Sequence, residues 1–323
     1  MAAAPKVGGS LMERRLALCL ASLMLIALPA RAAVYCVMVA GLGGEPQYEQ
    51  RFTALAHDLD RTFSASRPAA HITALAGADA TRARLRETLA AVAREAQPDD
   101  AFVLILIGHG SFDGLEYKFN LVGPDISGGE LARLCNRIRA KRQLVVNTTS
   151  ASGGSVAALD RPGRAVIAAT KNGEEKNATV FARYWVEALH DPDADLDKDG
   201  AISALEAFQY AQRKTADYYK SQNRLATEHA VFEDTGKSEA VRQPSVGSGE
   251  GLFLSNFILV RLGGAESAAN TPAKRALFAK KEELERRIDT LRYKKAAMSP
   301  EDYKQQLTAA LVELARVQQE LDK

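Results

Sequence analysis

Cysteine is scarce in this sequence: three in 323 residues, with Cys19 inside an N-terminal apolar stretch. The other two, Cys36 and Cys135, are too few for a disulfide framework. Cys36 falls in an apolar strand-like run and Cys135 in a helix-like one, settings where small thiols are commonly buried, so both are expected to be buried and unpaired. A surplus of charge is also lacking. Forty-two Lys and Arg face 40 Asp and Glu, for a net charge of +2, so no basic footprint for nucleic acid is present. The apolar run at 16–28 is well short of the ~20 residues that span a bilayer. One absence is local. The apolar run at 144–146 ends in Asn147-Thr-Thr-Ser-Ala-Ser-Gly-Gly-Ser155 without a cysteine, which excludes a thiol nucleophile at that point.

What is present begins with an address. Met12-Glu-Arg-Arg15 is a charged start, 16–28 an apolar core, and Ala30-Arg-Ala32 a small-x-small cleavage site. Residues 1–32 read as a secretory signal peptide cleaved after Ala32, which places the mature chain in the periplasm or outside the cell, with no membrane contact after cleavage. Leu18 before Cys19 is not the small residue a lipoprotein site needs.

Residues 34–40 are continuously apolar, as in a parallel sheet covered on both faces. Gly41-Leu-Gly-Gly44 lacks the dinucleotide-binding spacing and reads as a plain strand-to-helix turn. Helical spacing runs through 46–66 (Tyr48, Phe52, Leu55, Leu59). A strand is expected at 69–75 and a helix at 80–96 capped by Asp79. Strands follow at 102–107, 144–146 and 164–170, with helices at 128–139 and 178–189. This alternation predicts an α/β fold with a mainly parallel sheet, and ligand sites in such sheets lie at the carboxyl ends of strands. Residues 223–251 read as a long polar surface excursion, 251–262 as a last strand, and 264–272 as a linker. Beyond it, Leu277, Leu284, Ile288 and Leu291 form one helical stripe. Tyr303, Leu307, Leu311, Leu314, Val317 and Leu321 form a second. Ser299, Pro300 and the acids Glu301 and Asp302 mark a helix start between them. Residues 273–323 are therefore a helical hairpin with coiled-coil character, suited to folding back, to oligomerising or to docking a partner.

Asp195-Leu-Asp-Lys-Asp-Gly-Ala-Ile-Ser-Ala-Leu-Glu206 matches an EF-hand-type calcium loop at every ligand position. Asp195, Asp197 and Asp199 offer carboxylates, Gly200 the sharp turn, Ala201 its carbonyl, Ser203 its hydroxyl or a water, and Glu206 a bidentate carboxylate. Ile202 is the inward apolar residue. A single such loop in an exported protein points to a structural calcium ion, the one cofactor expected here.

The remaining chemistry sits at two strand ends. Residues 102–107 run into Gly108-His109-Gly110-Ser111, and 144–146 into the hydroxyl cluster around Ser150. These two segments resemble the caspase/legumain group, the clan CD cysteine peptidases of the C13 type. In that group one strand ends in His-Gly and the next in a short motif carrying the nucleophilic cysteine. His109-Gly110-Ser111 is similar to the first motif. Thr149-Ser-Ala-Ser-Gly153 is similar to the second, with Ser150 where the cysteine stands. Ala168-Ala-Thr-Lys-Asn172 also looks like the following strand and specificity loop of legumain-type proteins. The resemblance implies a caspase-like three-layer α/β/α domain over 33–263, with the calcium loop and the hairpin as additions.

A thiol of pKa ~8.5 ionises readily beside a histidine. A serine hydroxyl needs a base in direct contact, usually oriented by a third group, and no acid in the sequence announces itself as that group. The expectation is therefore a catalytically impaired, calcium-stabilised pseudopeptidase that binds a peptide or protein partner. The alternative is an active endopeptidase with Ser150 as nucleophile, His109 as base and the Gly110 N–H as oxyanion donor. Thr148, Thr149 and Ser152 are alternative nucleophiles, and Asp113 and Glu116 follow the histidine as candidate pocket residues.

Overall fold

The apolar runs become the centre of one six-stranded sheet. The computed structural model describes residues 32–67, 70–245, 247–262 and 271–321. The expected signal peptide, Ala32 apart, and most of the expected linker lie outside them. In chain order the elements are β1 (Val34–Ala40), α1 (Pro46–Ser66), β2 (His71–Leu75), α2 (Arg82–Glu95), β3 (Ala101–Ile107), β4 (Gly110–Phe112), β5 (Tyr117–Phe119), β6 (Ile126–Ser127) and α3 (Gly128–Asn136). They continue with β7 (Arg142–Asn147), α4 (Val156–Leu159), β8 (Arg164–Ala168), α5 (Phe181–Ala188), β9 (Ala201–Ser203), α6 (Ala204–Ser221) and β10 (Val231–Glu233). The last are α7 (Leu252–Ser255), β11 (Ile258–Arg261), α8 (Pro272–Lys294) and α9 (Pro300–Leu321).

The sheet order is β10-β8-β7-β3-β1-β2. Every neighbouring pair is parallel except β10, which runs antiparallel to β8. Successive side chains of a strand point to opposite faces, and both faces are filled. Cys36, Met38 and Ala40 pack with Phe52, Ala56, Trp185 and Phe208. Tyr35, Val37 and Val39 pack with Leu85, Leu89, Leu131 and Leu159. Helices α1, α5 and α6 thus cover one face and α2, α3 and α4 the other. This is the three-layer α/β/α architecture with a mainly parallel sheet. Burying each large apolar side chain here stabilises the fold by about 1.5–3 kcal/mol. Cys36 and Cys135 are buried and unpaired; burial pushes the Cys135 thiol up to about 11. Among the described residues no helix is long and apolar enough to cross a membrane.

Several local expectations are corrected. Helix α2 is capped by Thr81, whose hydroxyl accepts the Arg84 N–H (3.2 Å), and not by Asp79, which lies in a preceding short turn. The excursion at 223–251 contains β10, whose Phe232 is fully buried; three residues are too few to show a period. Residues 251–262 do not form one strand. The Asp234 carboxylate takes the N–H groups of Gly251, Phe253 and Leu254, which starts the turn α7, and only Ile258–Arg261 is extended, paired with β9.

The hairpin forms, with α8 packed along α9. Thr271 caps α8 and the Ser299 hydroxyl accepts the Asp302 N–H at the start of α9. Leu284, Ile288 and Leu291 are buried as expected. On α9 the buried seam passes through Ala310 and Val317, while Leu311 is 44% exposed. Residues 303, 307, 310, 314, 317 and 321 keep the 3.5-residue spacing of a two-helix seam, and position 311 does not belong to it.

Candidate functional site

Register brings the two expected strand ends together. Leu106 of β3 pairs with Asn147 of β7. His109 and Ser150 each lie three residues further on, at the same carboxyl edge of adjacent parallel strands. The Gly110 N–H donates to Ser150 Oγ at 3.4 Å. The close approach needs glycine, because a Cβ at position 110 would lie 2.6 Å from the Ser150 carbonyl oxygen and 2.7 Å from Thr149 Oγ1.

Around Ser150 the hydroxyls divide into two kinds. Thr148 Oγ1 donates to the Leu106 carbonyl (2.7 Å). Thr149 Oγ1 donates to Asn147 Oδ1 (2.8 Å) and lies 2.7 Å from the Tyr117 hydroxyl. Ser152 Oγ accepts the Thr170 N–H (3.1 Å). All three are buried in committed hydrogen bonds, so the alternative nucleophiles are core hydroxyls. Ser150 makes no hydrogen bond as a donor among the described residues, yet it is only 2% exposed. Ala151, directly after it, is left-handed at φ 54, a conformation that costs a non-glycine residue roughly 1 kcal/mol. Its N–H is held by the Glu175 carbonyl at 2.8 Å.

His109 faces the other way. Its ring makes edge contacts with Tyr48 (4.8 Å between centroids) and Phe52 (5.1 Å), and Arg51 stacks over both aromatics. Burial, and then the Arg51 charge, lower its pKa against the opposing pull of the Gly43 backbone and Glu45. The ring is therefore neutral at pH 7, and among the described residues it makes no hydrogen bond to Ser150. Asp113 holds a turn. Its carboxylate accepts the N–H groups of Leu115 and Glu116 and forms the exposed β4–β5 turn, and these bonds lower its pKa.

One pair escaped the sequence reading. His229 Nδ1 lies 2.5 Å from Glu175 Oε1, and the Glu175 Oε2 accepts the His229 and Lys171 N–H groups. Glu175 thus links the segment before β10, which carries His229, to Ala151, whose N–H its carbonyl accepts. Fifty-four residues separate the partners, so no local spacing advertises them; the adjacent Glu228-His229 in an otherwise polar stretch is the only signal.

The loop at 195–206 gathers its acids. One carboxylate oxygen from each of Asp195, Asp197 and Asp199 lies within 4.8 Å of the others. Asp195 is 6% exposed and accepts the Asp199 and Gly200 N–H groups. Gly200 takes φ +82, as the sharp turn requires. Ile202 is fully buried, and Ala201 pairs with Arg261 between β9 and β11. Ser203 caps α6 in a reciprocal box with Glu206. Glu206 Oε2 accepts the Ser203 N–H and hydroxyl, and Oε1 the Leu196 N–H at 2.9 Å. Burial, then the Asp197 charge, push Asp199 up to about 7, and the same two causes push Asp289 of α8 up to about 7.

No family model matches the sequence, and no curated protein does. Among solved structures the chain is similar to protein GSU0716 from Geobacter sulfurreducens, at 13% identity and a TM-score of 0.45, covering 72% of this chain and 99% of that one. It is also similar to the Drosophila initiator caspase Dronc, at 11% identity and a TM-score of 0.39, over 70% of this chain and 84% of that one. Both likenesses are distant, and the chemistry has to be read from the residues themselves.

Those residues make two separate centres. At the sheet edge, a buried serine hydroxyl faces a backbone donor, with a neutral histidine packed against aromatics beside it. At the α5–α6 junction, hard oxygen donors converge in a set whose chemistry suits calcium better than a soft or nitrogen-seeking metal.

Proposed function

We propose that this chain is an exported, calcium-stabilised protein with a caspase/legumain-like cleft that binds a peptide or protein partner without cleaving it. The observation that supports this reading most is the state of Ser150: its hydroxyl is buried, faces the Gly110 N–H and has no hydrogen bond to His109. A hydroxyl ionises only when a base removes its proton in the attack itself, and His109 packs against Tyr48 and Phe52. Asp195, Asp197 and Asp199 would hold the calcium ion, with the Ala201 carbonyl, Ser203 and Glu206 completing the set. When bound, the ion neutralises these acids and ties the loop between α5 and α6. The test of the cleft is Ser150→Cys in the full chain. Cleavage of peptides that appears with the thiol and is blocked by alkylation supports a frame that lost its nucleophile. Cleavage by the unaltered protein sinks the proposal.

One observation favours the alternative, an active endopeptidase with a Ser150–His109 dyad. The Ser150 proton is uncommitted, and His109 is held in its neutral, proton-accepting form. A rotation of the imidazole away from Tyr48 would be required to bring the two into contact.

A further inference from the structure

The opposite edge of the sheet from Ser150, where β7 begins at Arg142 and β8 at Arg164, carries a second concave surface. A cavity of about 480 Å³ lies there, within the size range of small-molecule sites. Arg137, Arg139, Lys141 and Arg161 line it, and among the described residues no acid does. Asp160, next to Arg161 in the chain, is turned to the Ser238 hydroxyl at 2.8 Å.

The acceptors on the cavity wall are already in use. Gln143 Nε2 donates to the carbonyls of Ile138 and Ala140, both at 3.0 Å, and so fixes the loop that carries Arg137, Arg139 and Lys141. Gln143 Oε1 accepts Arg164 Nε at 2.9 Å. Asn136 Oδ1 accepts Arg161 Nη1 at 3.1 Å and Arg164 Nη2 at 2.8 Å. Arg164 itself is 2% exposed, and its acceptors, Gln143, Asn136 and the Leu159 carbonyl, are all neutral. A buried cation without a carboxylate is costly, and a nearby anion offsets that cost. The cavity therefore offers a ligand positive charge and N–H donors, with its acceptors spent.

We propose that this cavity is an oxyanion site for a small ligand carrying two or more phosphate groups, separate from the loop at 195–206 and from the strand ends that carry His109 and Ser150. Guanidinium groups match phosphate oxygens by paired donation. Four like charges gathered in one hollow repel until an anion joins them. One phosphate brings a charge of only about −2 at pH 7, so a diphosphate balances the four cations better. The same chemistry is found in free diphosphates and in diphosphate lipid headgroups.

The test uses the full chain in calcium-free buffer, titrated with sodium pyrophosphate in a calorimeter. Arg137→Gln and Lys141→Gln remove exposed wall cations whose side chains make no hydrogen bond among the described residues, and matching melting temperatures verify that both fold. Arg133→Gln removes an exposed cation of α3 that does not line the cavity. The site predicts binding by the wild type, weakened about fivefold by Arg137→Gln and by Lys141→Gln, unchanged in Arg133→Gln, and weakened by added salt. No binding by the wild type, or equal binding by all four proteins, overturns the proposal. Flotation with phosphatidylcholine vesicles doped with a polyprenyl diphosphate then identifies the source. Retention that pyrophosphate displaces assigns a lipid headgroup; no retention, or retention that pyrophosphate leaves unchanged, assigns a free ligand.

Discussion

The backbone N–H of Gly110 is directed at the hydroxyl of Ser150, 3.4 Å away. This contact joins the segments that follow two adjacent parallel strands, β3 and β7. The histidine one residue before Gly110 looks the other way, into Tyr48 and Phe52. On the proposed reading, this is the frame of a nucleophile and its base without their contact.

Gly110→Ala is expected to destabilise the protein by about 1–3 kcal/mol, the usual range for forcing atoms into a packed core. The added Cβ would meet the Ser150 carbonyl oxygen and Tyr117 Cε2 at 2.6 Å. Urea unfolding of Gly110→Ala beside Ser111→Ala, an exposed neighbour, checks this. The second substitution is expected to stay within about 0.5 kcal/mol of wild type.

His109 gives a pH signature. Its pKa in the fold lies below the ordinary imidazole value of 6.5, chiefly through burial and then through Arg51. As pH falls through that value the unfolded chain takes up the proton first, so the histidine's contribution is present above it and is lost as pH falls toward the folded pKa. The melting-temperature advantage of wild type over His109→Gln should therefore shrink between about pH 8 and about pH 5. Arg51→Gln should raise the imidazole pKa, as read by NMR. An advantage that grows on acidification contradicts the assignment.

Removal of calcium is expected to lower the melting temperature by several degrees, since a ligand at about a hundredfold excess over its Kd adds about 2.7 kcal/mol. Asp197→Asn should abolish most of the calcium response and leave the chelated protein's melting temperature nearly unchanged. Glu206→Gln should lower it in chelator as well, because Glu206 also holds the Ser203 and Leu196 N–H groups. Identical thermal scans with calcium and chelator would contradict the calcium reading.

The α/β class was legible because β1 and β3 are continuous apolar runs, and β7 has one at 144–146, as a doubly covered sheet requires. The juxtaposition of His109 and Ser150 was legible for the same reason, since parallel pairing fixes which strand ends meet. Short elements were not. β10 is three residues long inside a polar stretch, and α7 owes its turn to Asp234, a residue remote from it in sequence. Ala310 takes the hairpin seam in place of Leu311 because spacing, and not hydrophobicity, sets the seam. Within the site, nothing in a run of Thr and Ser tells which hydroxyls the core consumes; Tyr117 of β5, Asn147 at the end of β7 and Thr170 just beyond β8 decide that. The Glu175–His229 pair is likewise a product of folding, visible only when distant segments are brought together.

The central claim is that the cleft binds without cleaving. Residues 33–323 are incubated in calcium with a diverse peptide library, beside Ser150→Ala and His109→Ala. The account predicts no cleavage by any of the three, with all three folded. Cleavage by the wild type that both substitutions abolish would contradict it and establish a working Ser150–His109 peptidase.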